Sequence, residues 1–94
     1  MNILESVPTH QPDIAWRAVA DEGLLVDPRT GKIYPLDPVG LRLWQMSDGT
    51  RKISEIVQIL LQEFDVPEEV LTQDVVNYVE SLQTQDLLLL HQPQ

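Results

Sequence analysis

Cysteine is absent from this 94-residue chain. Disulfides, thiolate metal ligands and a cysteine nucleophile are therefore excluded, and the composition fits a reducing compartment. Histidine occurs only at His10 and His91, near the two ends, so no pair stands at metal-ligand spacing. No glycine-rich loop of the kind that cradles phosphate is present. Basic residues are few: six against 15 acids, for a formal net charge of −9. Nucleic acid and anionic membrane surfaces, which need clustered Lys and Arg, are disfavoured as partners. No apolar run approaches the roughly 20 residues of a membrane span. Met1–Pro12 has neither the basic n-region nor the apolar run of a signal peptide. These absences predict a cytoplasmic, non-enzymatic domain with no cofactor and no metal. The acidic charge itself serves solubility or attracts a basic or neutral peptide.

With 43% hydrophobic residues the chain can build one core, burying about 60–65% of the surface exposed when unfolded. Residues 1–12, with Pro8 and Pro12, read as a loose, flexible or extended N-terminal arm; the domain proper spans 13–90, and 91–94 read as a frayed tail. Ile14, Trp16, Ala18 and Ala20 alternate, predicting a first strand over Asp13–Ala20 with Trp16 in the core. Leu24–Val26 is a second strand. Asp27-Pro28-Arg29-Thr30-Gly31 is a hairpin connector, and Lys32–Leu36 returns antiparallel. Asp37 caps a first helix with Pro38 at its first position. Gly49 is the expected left-handed residue after that helix. A second helix is predicted from Ser54, as cap, to Phe64, with Ile53, Ile56, Val57, Leu60, Leu61 and Phe64 on one stripe. A third runs from Glu68 to about Gln85 behind Pro67, with Leu71, Val75, Tyr78, Val79 and Leu82 inward. Leu87–Leu90 is a short strand or the packed end of the chain. The fold class is α+β and winged-helix-like: a three-stranded antiparallel sheet followed by three helices.

Pro35 stands inside the third strand, and proline in a sheet is confined to edges or bulges. An edge strand carries unpaired main-chain groups that another chain can use. An extended peptide captured as an added strand follows from this, as does a second copy, so a monomer or weak dimer is expected.

The ordered set Gly23-Leu-Leu-Val-Asp27, Thr30-Gly-Lys-Ile-Tyr34, Leu36-Asp37, Gly40, Leu43-Trp44, Asp48-Gly49, Ile56-Val57, Leu60, Asp74-Val75, Leu82 and Leu87-Leu88 resembles the PqqD-like family. These are the recognition elements of ribosomally made, modified peptide (RiPP) pathways. The resemblance covers about residues 13–90. It implies a module that grips the leader of a precursor peptide as an extra strand beside Lys32–Leu36, against the third helix. The partners it implies are that leader and a leader peptidase or other modifying enzyme. The Leu24–Lys32 hairpin looks most like stand-alone members of lasso-peptide pathways; the member serving pyrroloquinoline quinone (PQQ) synthesis is the next reading. Asp37 stands where many members carry Asn, and both residues cap helices.

By position, the resemblance implies peptide-binding residues Lys32, Ile33, Tyr34, Pro35 and Leu36 on the strand. On the helix it implies Asp74, Val75, Val76, Tyr78 and Val79. Val76 lies about 140° from Leu71 on the helical wheel, so it is either a contact or an ordinary exposed valine. Tyr34 suits a recognition surface or a half-buried strand position equally. Glu68, Glu69, Asp74 and Glu80 meet basic peptide residues or form a solvated face. Two other classes fare poorly. A DNA-reading helix needs basic residues, and Pro67–Asp86 has none and five acids. Adjacent carboxylates such as Glu68 and Glu69 diverge on a helix and make no catalytic pair. A protein–protein adaptor unconnected with modified peptides shares the same edge and stays open.

Overall fold

The computed structural model describes residues 2–92. After a short 3-10 turn at Ile3–Glu5, the elements are β1 (Val7–His10), β2 (Ala15–Val19), β3 (Glu22–Asp27), β4 (Lys32–Leu36), α1 (Pro38–Met46), α2 (Ile53–Glu63), α3 (Glu68–Thr84) and β5 (Leu88–His91). β2, β3 and β4 form an antiparallel sheet in that order, followed by the three helices. That is the α+β arrangement expected from the sequence, with a small β1–β5 sheet added.

The sheet is one-sided. Along β3, Gly23, Leu25 and Asp27 are buried while Glu22, Leu24 and Val26 are exposed, the period-two pattern of a strand with a core on one face. The helices supply that core through Leu43, Trp44, Ile53, Ile56, Leu60, Leu71, Val75 and Val79, all fully buried. α1 packs on β3 and β4 and touches both other helices. Its N-terminus is capped as expected: the Asp37 carboxylate accepts from the Gly40 N–H at 2.9 Å, with Pro38 in the first turn. Gly31 and Gly49 take φ of +76° and +86°.

Three expectations are corrected. Trp16 is 43% exposed, although its register opposite Leu25 puts it on the inner side. β2 is the far edge of the sheet, and all five of its residues are exposed. The second helix is capped two residues earlier than the sequence implied, at Lys52 rather than Ser54. The cause is tertiary: Ile53 is fully buried and its N–H donates to the Ser6 carbonyl at 2.9 Å, while the Glu55 carboxylate accepts from the Lys52 N–H at 2.8 Å. The N-terminal arm, expected loose or extended, is extended and pinned. β1 pairs antiparallel with β5, His10 stacks on Trp44 with ring centroids 3.8 Å apart, and its Nε2 meets the Trp44 carbonyl. Of the segment expected to fray, His91 closes β5, Gln92 donates to Ser6 Oγ at 3.2 Å, and residues 93–94 lie outside the described residues.

A charged bracket ties the hairpin to the end of α3. Arg29 donates to the buried Asp27 carboxylate through Nε at 2.9 Å and Nη2 at 3.0 Å. It also reaches the Asp86 carboxylate at 2.8 Å and the Asp86 carbonyl at 2.7 Å. Asp86 has φ +61°, so the bracket grips the left-handed residue that turns the chain from α3 into β5. The Arg29 hydrogen bond holds the Asp27 carboxyl below its ordinary value of 3.8. A carboxyl depressed on folding stabilises the fold fully above that ordinary value, and the contribution fades as pH falls through the folded value. Arg29→Met is therefore expected to lower Tm at pH 7, with the gap to the parent closing as pH drops below about 4. Thermal unfolding from pH 7 to pH 2 checks this; a gap independent of pH would contradict it.

Candidate functional site

Among the described residues β4 has a partner only on its β3 side, which leaves its other edge open. Ile33 on it is 61% exposed, Lys32 and Pro35 are exposed, and Tyr34 is half-buried. α3 runs past this edge. The Tyr34 hydroxyl donates to the Gln85 side-chain oxygen at 3.3 Å at one end. At the other end, where β4 turns into α1, a groove of about 340 Å³ is lined by Asp37, Asp74, Asn77, Tyr78 and Ser81.

The ten residues expected to bind divide by burial. Leu36 is 4% exposed, and Val75 and Val79 are fully buried. These three form the floor of the core beneath the strand and helix and present no surface of their own. Val76 and Tyr78 are half-buried and Asp74 is exposed, so Val76 lies at the margin of the core rather than free of it. Tyr78 and Asp74 meet at the groove, whereas Lys32 and Ile33 stand toward the hairpin end of β4. Sequence reasoning missed Asn77, Ser81 and Gln85, and took Asp37 only as a helix cap. Asn77, Ser81 and Gln85 follow Asp74 by three, seven and eleven residues. That spacing marks a polar helix face, but not which element it faces.

Tyr78 is the hinge of this geometry. Burial, reinforced by the neighbouring Asp37 carboxylate, pushes its phenol up to about 12. It remains a protonated donor at neutral pH. A methyl group at Gly40 would stand 2.7 Å from the Tyr78 ring, so α1 and α3 approach closely only because Gly40 has no side chain. Negative charge from Asp37 and Asp74 at the groove, with no basic residue lining it, favours a neutral or basic occupant. Among the described residues, no group of three or more His, Asp or Glu is placed to hold a metal ion. No helix among them is long and apolar enough to cross a membrane.

An exposed edge beside a helix with a groove at its end is a geometry for main-chain recognition, and comparison with known proteins identifies its family. The family model for coenzyme PQQ synthesis protein D (PqqD) matches residues 22–88. The chain belongs to the PqqD family. A curated relative, the PqqA binding protein of Xanthomonas oryzae pv. oryzae, is 34% identical over 70 residues, covering 74% of each chain. Among solved structures, TbiB1 in complex with the TbiA(beta) leader peptide is similar with a TM-score of 0.75 and 25% identity, covering 85% of this chain and 93% of that one. A lasso peptide synthetase B1 complexed with its leader peptide gives 0.76 at 20% identity, covering 88% and 98%. The PqqD truncation of Methylobacterium extorquens PqqCD, a RiPP recognition element, gives 0.72 at 22% identity, covering 88% of each. The last two establish likeness of fold alone. The PqqD match begins at β3 and ends as β5 begins, so the β1–β5 clasp lies almost wholly outside it.

Gly40→Ala is expected to force Tyr78 or α1 aside, at a cost of about 1–3 kcal/mol for overpacking. Urea unfolding measures that cost, and an unchanged midpoint would mean that α1 and α3 part without strain.

Proposed function

We propose that this PqqD-family chain is a non-catalytic leader-peptide-binding module, a RiPP recognition element. It takes the leader of a precursor peptide as an added strand on β4 and presents it to a processing enzyme. The observation that carries this reading is the open β4 edge beside α3, with main-chain groups available and a groove at its end. Strand addition provides affinity that depends little on sequence, and pockets for alternate side chains provide selectivity. The module contacts the leader through Lys32, Ile33, Tyr34 and Pro35 on the strand and through Asp74, Val76 and Tyr78 on the helix. Leu36, Val75 and Val79 support those contacts from beneath. The enzyme it serves is the leader peptidase of a lasso-peptide pathway, in keeping with the likeness to the TbiB1 complex. The 34% identity to a PqqA binding protein favours a second reading, a peptide chaperone of PQQ synthesis.

A disordered leader must be ordered on binding, which offsets part of the contact energy. Affinities between about nanomolar and micromolar, or about −12 to −8 kcal/mol, are in range for such a complex. The test is a titration of the intact protein into fluorescent peptides: the leader of its co-encoded precursor, the PqqA peptide, and the core segment as control. Saturable binding to the co-encoded leader alone supports the lasso reading, and tight binding to PqqA supports the second. Binding to neither up to high micromolar removes both and leaves a different protein partner. Val76→Glu is expected to weaken leader binding by about tenfold or more, since it buries a charge against the peptide. Parental affinity in that variant would take the helix out of the site.

A further inference from the structure

The main-chain groups of β4 divide unequally between its two sides, and Pro35 makes the division extreme. The Asp27 carbonyl accepts from the Gly31 N–H at 2.8 Å and from the Thr30 N–H at 3.3 Å, so the Asp27 backbone is turned toward the returning strand. In an antiparallel pair, residues that exchange main-chain bonds alternate with residues that do not. Asp27, Leu25 and Gly23 are then the exchanging residues, opposite Lys32, Tyr34 and Leu36. Ile33 and Pro35 turn their main-chain groups to the open edge. Proline fits this slot because its nitrogen has no bond inside the sheet to lose. Of the neighbouring donors of the same parity, the Gly31 N–H bonds within the turn, and Asp37 lies past the end of β4 as the cap of α1.

We propose that Ile33 carries the single free main-chain donor of β4's open edge, followed along the strand by two free acceptors, the carbonyls of Ile33 and Pro35, and that this pattern sets the register of the bound peptide. The inference rests on the leader-binding reading and deepens it. A peptide strand on β4 must donate two N–H groups from residues two apart, and it receives only one bond in return. Proline or N-alkylation is excluded at those two peptide positions and tolerated between them. The peptide carbonyl that faces Pro35 gains no protein partner. Parallel and antiparallel peptides meet the same demand, because the pattern belongs to β4.

Amide hydrogen exchange on the free protein tests the first half. Ile33 is expected to exchange freely, with Tyr34 and Leu36 slower by about a hundredfold or more; a protected Ile33 beside a fast Tyr34 would overturn the proposal. The second half uses the co-encoded leader and the PqqA peptide as probes. Whichever one binds is expected to protect Ile33. Ile33→Pro should weaken that binding at least about tenfold, the effect of losing one bond and placing a ring against the peptide. In Pro35→Ala, the new amide at position 35 should exchange freely alone and become protected on binding. A parent that binds while Ile33 stays unprotected, or an Ile33→Pro variant with parental affinity, overturns the register proposal and leaves the leader-binding reading standing. A parent that binds neither peptide overturns that reading and this inference with it.

Discussion

Everything in this fold depends on how closely α1 can approach its two walls. A methyl group at Gly23 would meet the Leu41 side chain at 2.8 Å, and one at Gly40 would meet the Tyr78 ring at 2.7 Å. Two missing side chains thus let one helix touch the sheet and α3 together. Leu43 and Trp44 are fully buried as a result. Tyr78 and Asp37, the residue that follows β4 and caps α1, then line the same groove. The open edge, the helix beside it and the groove at its end are held by one short helix, packed at the density that leaves methylene-sized changes no room.

The sheet meets two opposed demands. It must be covered well enough to be stable, and one edge must stay free. Helices on a single face provide the cover, and the other face keeps Leu24, Val26 and Ile33 exposed. Such an edge invites self-association, and proteins blunt it with proline and lysine. β4 carries both, Pro35 and Lys32, and the chain carries a net charge of −9. The proline that discourages a second copy also removes one donor from the edge. Protection against aggregation and selectivity for a partner then share a cause.

The two ends of the molecule are fastened differently. Toward α1, the corner relies on packing around Gly40. Toward the hairpin, it relies on charge: Arg29 joins Asp27 in β3 to Asp86 beyond α3. The β1–β5 clasp adds a third fastening. It lies almost entirely outside the residues the PqqD model matches, yet it supplies the His10 ring stacked on Trp44 in the core.

Short-range chemistry made much of this legible in the residues themselves. Asp37-Pro38 announces a helix start, Asp27–Gly31 a hairpin, and the stripe from Ile53 to Phe64 an amphipathic helix, because each depends on neighbours within a few positions. The bounds of β4 and the sense of its pairing follow from the same local rules, as does the expectation that a strand containing Pro35 is an edge. Contacts between distant residues were not legible. The alternation that places Trp16 inward is real, but the helices do not extend beneath β2. Ser54 is a good cap by type, yet burial of Ile53 and its bond to Ser6 move the cap of α2 two residues earlier, to Lys52. Asn77, Ser81 and Gln85 look like an ordinary polar helix face until the fold sets them beside β4. The sequence by itself determined the elements from β2 to α3, their order and the family, since these depend on periodicity and local chain stereochemistry, whereas β1 took its form from pairing with β5. Only the tertiary structure decided which amides face the open edge and which side chains share its groove, because those depend on packing between residues far apart in the chain.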